Sequence, residues 1–225
     1  MSRTPLVVAV LGLLATPLQA QVKEDACVPL EGVGCWYAPE GLGSDAPLLI
    51  YLRGHHPSMG PNVPAAQFLA SSRQAFLAYD LGKTAAARKS VLLVTYRSGL
   101  GVSPALVDSL RDESRKTFSS IALAAHSGGY VGLLKTLEAG LAPDRVLMLD
   151  NFYGKGGGGL ASRLQRLISS GTRCSGFYTP HNKVNFEEGY KKAVNCSVDG
   201  MGSDAQHNAA VNRCLGGYLD GRPCQ

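Results

Sequence analysis

The segment from Ile121 to Tyr130, IALAAHSGGY, constrains the fold of this chain more than any other. It opens with a short apolar run, and the sequence that follows it, VGLLKTLEAGL, has the apolar spacing of an amphipathic helix. Ser127 therefore lies between a predicted strand and a predicted helix, among small residues that permit a sharp turn. Such a turn exposes the hydroxyl and directs the free N–H groups and the positive dipole end of the helix toward the space above it.

Apolar strands alternate with amphipathic helices along most of the chain. The expected strands are Leu48–Leu52, Ser90–Tyr96, Ile121–Ala125, Arg145–Leu149 and Gly176–Thr179. The expected helices are Ala65–Leu81, Pro104–Phe118, Val131–Ala139, Leu160–Ser169 and a short one at Ala209–Leu215. Strands that are apolar on both faces and alternate with helices predict an α/β fold, with a mostly parallel sheet covered by helices on both faces. From Asn182 onward the chain is polar, and we expect an irregular region pinned by disulfides.

The first twenty residues, MSRTPLVVAVLGLLATPLQA, are typical of a secretory signal peptide. Arg3 precedes an apolar run that is shorter than the ~20 residues of a membrane-spanning helix, and Ala20 offers a small residue for cleavage. We expect residues 1–20 to be removed and residues 21–225 to form one domain, secreted or periplasmic, with no stable membrane span. An uncleaved anchor is the alternative interpretation.

All six cysteines follow the predicted signal peptide. An even number of cysteines in an exported chain favours disulfides, because such chains meet an oxidising compartment. The composition leaves the pairing open, but closeness along the chain suggests Cys27–Cys35, Cys174–Cys196 and Cys214–Cys224. No C-x-x-C pair occurs, and no histidine stands at ligand spacing from a cysteine, so we expect no metal site.

The charge of the chain gives little indication of a macromolecular partner. The formal net charge is +5, and the basic residues are scattered among acidic ones rather than arranged in a stripe with aromatic residues. Nucleic-acid binding is therefore not expected. The charge fits a soluble exported protein, for which we expect a monomer.

The strand–serine–helix unit, set among alternating strands and helices, resembles the α/β-hydrolase superfamily. The family pattern at this turn is G-x-S-x-G, and this chain reads Ala125-His126-Ser127-Gly128-Gly129, with alanine in place of the first glycine. The resemblance covers roughly 46–207. It implies a minimal, exported serine esterase or lipase without a lid domain, with Ser127 as the nucleophile and with no cofactor.

A serine nucleophile needs a base within hydrogen-bond reach, and that base must be oriented by a third group. In the family the chain order is serine, acid, histidine. His207 is favoured as the base because it lies late in the chain, on a loop before the short helix. His181 is the rival candidate. His126 adjoins Ser127 and is expected to point away from the turn, so it fits the role of base poorly.

Asp150 is the preferred acid. It ends the strand Arg145–Leu149, and the ends of parallel strands share one edge of the sheet, so it should lie on the same edge as Ser127. The alternative is that Asp150 merely caps the turn that follows. Asp199 and Asp204 stand near His207 in the sequence and are further candidates.

Transition-state charge in acyl transfer is stabilised by donors that are already in place. The backbone N–H of Gly128 is the expected first donor. The second is expected from the loop after the first strand, at Gly54 and His55, with Arg53 as a possible side-chain contact to substrate. Surface solvation is the alternative for the histidines of this loop. Past the predicted acid, Phe152 and Tyr153 are candidate pocket residues.

Together, the resemblance and these residues imply hydrolysis of an ester through an acyl-enzyme. The expected substrate is a small-molecule or polymeric ester or amide, and no metal or organic cofactor is required. Cleavage of a peptide or peptidoglycan amide on the same fold is an alternative. Two non-enzymatic alternatives are an exported binding protein that keeps the fold, and a structural envelope protein stapled by disulfides.

Overall fold

One eight-stranded sheet organises the molecule. The computed structural model describes residues 28–39, 41–54, 90–153, 159–191 and 195–219, excluding the side chains of 212–213 and 216–219. Within these ranges the strands are β1 (Val28–Leu30), β2 (Gly34–Tyr37), β3 (Asp45–Leu52), β4 (Val91–Thr95), β5 (Thr117–His126), β6 (Arg145–Leu149), β7 (Arg173–Tyr178) and β8 (Ser197–Gly200). Their order across the sheet is β1-β2-β4-β3-β5-β6-β7-β8.

The sheet is mostly parallel, as the sequence predicts. Strands β4, β3, β5, β6, β7 and β8 run parallel to one another, whereas β1 and β2 form an antiparallel edge against β4. The glycine-rich sequence that precedes β3 did not predict this antiparallel edge. Strands of three and four residues are too short to show a clear apolar period.

The central strands bury both of their faces, which explains their continuous apolar sequences. In β3, Leu48 and Ile50 contribute to one core cluster, which we call the front core. Leu49 and Tyr51 point to the other side of the sheet, into a second cluster that we call the back core. The alternation follows from the period of two residues along a strand.

Helices cover both faces of the sheet, which confirms the predicted α/β class. The helices are α1 (Pro104–Ser114), α2 (Tyr130–Glu138), α3 (Leu160–Ser169), α4 (Pro180–Asn185), which continues into a π-type turn (Phe186–Tyr190), and α5 (Gln206–Leu219). Helices α1, α2 and α3 contribute Val107, Leu133 and Leu164 to the front core. Helix α5 contributes Val211 and Leu215 to the back core.

Helix α1 begins where the sequence predicts but ends earlier. The Ser103 hydroxyl accepts a hydrogen bond from the N–H of Leu106, and Pro104 occupies the first turn. The helix ends at Arg115, which adopts the left-handed conformation with φ 54°. The prediction that it runs to Phe118 is wrong, because Phe118 already belongs to β5.

The C-terminal part of the chain is more regular than predicted. Strand β8 adds to the sheet beside β7, and α5 runs from Gln206 to Leu219 rather than over seven residues only. The predicted disulfide Cys174–Cys196 is present and links β7 to the segment before β8. Cys35 and Cys214 are also disulfide-bonded. The cysteines predicted to pair with them, Cys27 and Cys224, lie outside the described residues, as do the predicted helix 65–81 and the predicted signal peptide 1–20.

In the ranges that the structure describes, no helix has both the length and the apolar character needed to cross a bilayer.

Candidate active site

Ser127 lies in a strained turn between β5 and α2. Strand β5 ends at His126, and Ser127–Gly129 forms one 3₁₀ turn that leads directly into α2. Ser127 has φ 51°, in the left-handed region that residues other than glycine seldom adopt. A side chain held there costs about 1–3 kcal/mol, and such strain concentrates at functional sites. Gly128 is the second residue of this turn, where backbone N–H groups have no acceptor within the helix.

The turn packs closely against the end of β3. A Cβ atom on Gly129 would overlap the carbonyl oxygen of Leu52. A Cβ atom on Gly54 would come within 2.7 Å of the Ser127 Cβ and 2.5 Å of the His126 carbonyl oxygen. Only glycine fits at these two positions, and the loop after β3 therefore lies directly against the serine turn.

The Asp150 carboxylate is fully buried at the end of β6 and accepts four hydrogen bonds. Oδ1 accepts from the Thr179 N–H at 2.8 Å and from Asn182 Nδ2 at 3.0 Å. Oδ2 accepts from the Thr179 hydroxyl at 2.8 Å and contacts His207 Nδ1 at 2.5 Å. Like Ser127, Asp150 has a left-handed backbone, with φ 47°.

These contacts set the charge and the tautomer of the pair. Burial alone would raise the pKa of Asp150, but the hydrogen bonds from His207, Thr179 and Asn182 outweigh it and hold the pKa below its ordinary value. An ionised carboxylate only accepts hydrogen bonds, so Nδ1 of His207 carries the hydrogen. In the neutral imidazole, Nε2 of His207 is then the basic nitrogen.

The ring of His126, a residue that the sequence disfavours as a base, contacts the ring of His207. Its ring centroid lies 4.6 Å from that of His207. Its Nε2 lies 3.1 Å from the His207 carbonyl oxygen, and its Nδ1 lies 3.1 Å from the Tyr51 hydroxyl. Burial, with a smaller contribution from His207, lowers the pKa of His126 to about 3. His126 is therefore neutral at physiological pH.

Tyr153 is the side chain that meets the serine hydroxyl. Its phenol oxygen lies 3.3 Å from Ser127 Oγ. The Tyr153 ring also contacts the rings of Tyr130 and His181, at centroid distances of 5.7 Å and 6.4 Å. Tyr153 is partly exposed, so its phenol can contact a bound molecule beside Ser127.

Phe152, the neighbouring pocket candidate, belongs to the core instead. It is 1% exposed and packs edge-on against Phe186 and Tyr190, at centroid distances of 4.9 Å and 5.1 Å. Such a side chain has almost no surface to offer a substrate. Its role is to fix the start of the segment that carries Tyr153.

Arg53 is also a structural residue rather than a free substrate contact. Its side chain is buried, and its Nη1 donates to the Tyr96 carbonyl at 2.8 Å. Its backbone N–H donates to the Thr95 hydroxyl at 3.1 Å, so this group is not available to a developing oxyanion. His55 lies outside the described residues.

The remaining candidates make no described side-chain contact with the Asp150–His207 pair, although the backbone carbonyl of Asp204 accepts the His207 N–H at 3.0 Å. The Asp204 carboxylate accepts the backbone N–H of His181 at 2.8 Å and so holds the start of α4. Asp199 is an exposed residue of β8. The structure therefore brings Asp150 to His207 and not to His181. Among the described side chains, no group of three or more potential metal ligands occurs.

Comparison with known proteins gives distant structural matches only. No protein-family model and no curated protein matches the sequence. Among solved structures, the chain is similar to a Pyrococcus horikoshii acylaminoacyl peptidase, with 11% identity and a TM-score of 0.44 over 88% of this chain and 42% of that one. A second match is an acylaminoacyl peptidase in complex with Z-Gly-Gly-Phe-chloromethyl ketone, with 11% identity and a TM-score of 0.43 over 83% of this chain and 39% of that one. The chain thus spans about two fifths of these proteins, and likeness of this degree identifies neither its activity nor its substrate.

The strain at Ser127 predicts an unusual order of stability for two substitutions. Ser127→Gly should be more stable than Ser127→Ala by about 1 kcal/mol, because only glycine adopts a left-handed backbone without steric cost. Urea unfolding of both variants measures the difference.

Ser109 provides the matched control, because it is an exposed serine within α1. In a helix interior, glycine lowers the stability of a protein by about 1 kcal/mol relative to alanine, so Ser109→Gly should be less stable than Ser109→Ala. If the glycine and alanine variants had the same order of stability at both positions, the strained geometry at Ser127 would be incorrect.

The neutral, buried His126 predicts a loss of stability in mild acid. Below pH 6.5 the unfolded chain binds a proton at His126 that the folded protein excludes until about pH 3. Stability therefore falls as pH decreases, by up to ~1.4 kcal/mol per pH unit, or roughly 3 kcal/mol between pH 6.5 and about 4. Asp150, whose pKa is lowered from the ordinary value of 3.8, contributes stability that is lost mainly as the pH falls below 3.8, which is beneath this window.

The measurement is the free energy of unfolding of the wild type and of His126→Phe across this pH range. His126→Phe should make the free energy of unfolding depend less steeply on pH, since it removes the group that titrates. His181→Gln, at an exposed histidine, is the control and should keep the wild-type slope. Parallel slopes for the wild type and His126→Phe would refute the assignment.

Proposed function

We propose that this protein is a serine hydrolase that cleaves a carboxylic ester through an acyl-enzyme. Ser127 is the nucleophile, His207 is the general base and acid, and Asp150 orients the imidazole. One observation carries the proposal: a buried, ionised carboxylate directly after β6 meets the Nδ1 of a histidine 57 residues away. The neighbouring strand, β5, is followed directly by the strained Ser127. An aspartate–histidine pair of this kind activates a serine hydroxyl that lies within hydrogen-bond reach of the second ring nitrogen. In the described hydrogen bonds the Ser127 hydroxyl is paired with Tyr153, so the proposal requires it to turn toward His207 when substrate binds.

In the first half-reaction, Nε2 of His207 takes the proton of the Ser127 hydroxyl while Oγ forms a bond to the carbonyl carbon of the substrate. The carbonyl π electrons move to the oxygen, and the tetrahedral intermediate carries a negative charge. The ionised Asp150 stabilises the imidazolium of His207. When the intermediate collapses, the bond to the leaving alkoxide breaks, and His207 returns the proton to that oxygen.

In the second half-reaction, His207 takes a proton from water, whose oxygen attacks the acyl carbon. Collapse of the second intermediate breaks the bond to Ser127 Oγ, and the proton on His207 returns to the serine. The carboxylic acid leaves, and the enzyme regains its starting state. No metal or organic cofactor takes part in these steps.

The groups around Ser127 support stabilisation of the intermediate. The N–H of Gly128 lies in the first turn after the nucleophile, where the helix dipole favours negative charge. The Gly54 backbone packs against the Ser127 turn, which supports Gly54 as the second donor. The Tyr153 phenol lies 3.3 Å from Ser127 Oγ, which supports it as a further donor to the intermediate.

Export belongs to the same proposal. The disulfide between Cys174 and Cys196 supports an oxidising compartment, since such bonds seldom persist in a reducing cytosol. The N-terminal sequence MSRTPLVVAVLGLLATPLQA supports delivery to it as a signal peptide.

The test is hydrolysis of a series of p-nitrophenyl esters, with p-nitroanilides as the amide counterparts. We expect ester turnover that falls by roughly 10³-fold or more in Ser127→Ala and His207→Ala, and by about 10²–10⁴-fold in Asp150→Asn. Ser109→Ala is the control, because it removes an exposed serine hydroxyl on α1 that donates to the Ala105 carbonyl oxygen. Turnover that survives in folded Ser127→Ala would reject the proposal, and faster anilide than ester cleavage would reassign the bond to an amide.

A further inference from the structure

We propose that His126 is a positioning residue that holds the backbone of His207 at a fixed place relative to Ser127. The role rests on the proposed function, because it matters only if Ser127 and His207 react together. The observation behind it is the 3.1 Å contact between His126 Nε2 and the carbonyl oxygen of His207, made by the residue that directly precedes the proposed nucleophile.

The hydrogen bonds of His126 allow a single tautomer. A carbonyl oxygen only accepts, so the hydrogen must be on Nε2, and Nε2–H donates to His207. In the neutral ring, Nδ1 is then an acceptor, and the Tyr51 hydroxyl, 3.1 Å away, donates to it. Both hydrogen bonds therefore have a defined direction, which runs from Tyr51 through His126 to the backbone of His207.

His126 and its partner Tyr51 both lie in central strands of the sheet. His126 ends β5 and pairs with Leu149 of β6, and Tyr51 lies in the adjacent β3, paired with Ala124. The His126 side chain is 4% exposed. A rigid strand therefore supports the donor that reaches His207 at the start of α5.

This arrangement gives the shortest described connection between the proposed nucleophile and the proposed base. Ser127 joins His126 through one peptide bond, and His126 joins His207 through one hydrogen bond. Asp150 fixes the other side of His207 by binding ring atom Nδ1. Fixing the backbone and the ring at separate points restricts both the place and the orientation of Nε2, as catalysis by proximity requires.

The ring contact supports the same role. His207 gains a positive charge in the proposed reaction, and the His126 ring lies 4.6 Å away at an interplanar angle of 39°. Among the described residues, the titratable groups that interact with His126 include Tyr51, His207 and Asp150. Because burial lowers the pKa of His126 to about 3, its ring stays neutral and does not repel the imidazolium.

The test compares kinetics and one proton resonance in three variants. His126→Phe keeps an aromatic ring beside His207 but removes both hydrogen bonds. We expect kcat to fall about 10–100-fold with KM changed less than about twofold, because misplacing a reacting group slows the chemical step. The rate constant of inactivation by a fluorophosphonate should fall by a similar factor.

The second variant, Tyr51→Phe, removes only the hydroxyl that donates to His126 Nδ1, and we expect a smaller fall in kcat of about 2–5-fold, in line with the loss of one hydrogen bond. Leu147→Val is the control, because Leu147 is buried in the same back core without contacting His207 in any described interaction. It should unfold at a lower urea concentration than the wild type, because it leaves a small cavity, and keep the wild-type kcat.

The low-field proton NMR signal of the His207 Nδ1–H bound to Asp150 gives a readout independent of turnover. We expect this signal to shift or broaden in His126→Phe and to be unchanged in Leu147→Val. If His126→Phe keeps both the wild-type kcat and an unchanged NMR signal, the inference is overturned. If His126→Phe does not fold, a wild-type kcat and an unchanged signal in Tyr51→Phe would overturn it instead. If Ser127→Ala keeps full activity, the proposed function fails, while the NMR comparison still decides whether His126 positions His207.

Discussion

The hydrogen bond between Asp150 and His207 is the interaction on which the rest of the site depends. It attaches the start of α5, which packs on the back face of the sheet, to the end of β6. A carboxylate without partners would be costly to bury at this place. Here two donors from Thr179 and one from Asn182 satisfy it alongside His207, so the same contacts that stabilise the fold also keep the carboxylate charged.

The parallel strands explain why the site forms at their carboxyl-terminal ends. Neighbouring strands lie ~4.8 Å apart, so residues at the ends of β5, β6 and β7 become neighbours although they are distant in sequence. Ser127 and Asp150 follow β5 and β6 directly, and both adopt left-handed backbones that turn the chain sharply off the strand. Thr179 follows β7 and supplies two of the donors to Asp150.

Much of this organisation can be predicted from sequence because it depends on local patterns. The apolar run of β6 and the amphipathic spacing of α3 give both elements their observed bounds. Ser127 is indicated by its small neighbours, and Asp150 by its place at a strand end. The contact between Asp150 and His207 agrees with the expected pair, while their catalytic roles stay predictions.

Other features depend on contacts that no local pattern encodes. The described hydrogen-bond partners of His126 include Tyr51 and His207, 75 and 81 residues away, and adjacency to Ser127 suggests neither of them. Phe152 and Tyr153 follow a left-handed residue, so strand alternation no longer tells which side chain faces the core. The strands β1, β2 and β8 are too short to show a period of their own.

The most direct test of the central claim is to locate the residue that reacts with a fluorophosphonate, by peptide mapping and mass spectrometry of the native protein. The account predicts one phosphonyl group on the peptide that contains Ser127, and no adduct after the protein is unfolded before treatment or in folded Ser127→Ala. An adduct on another residue of the native protein, or labelling that persists in Ser127→Ala, would contradict it.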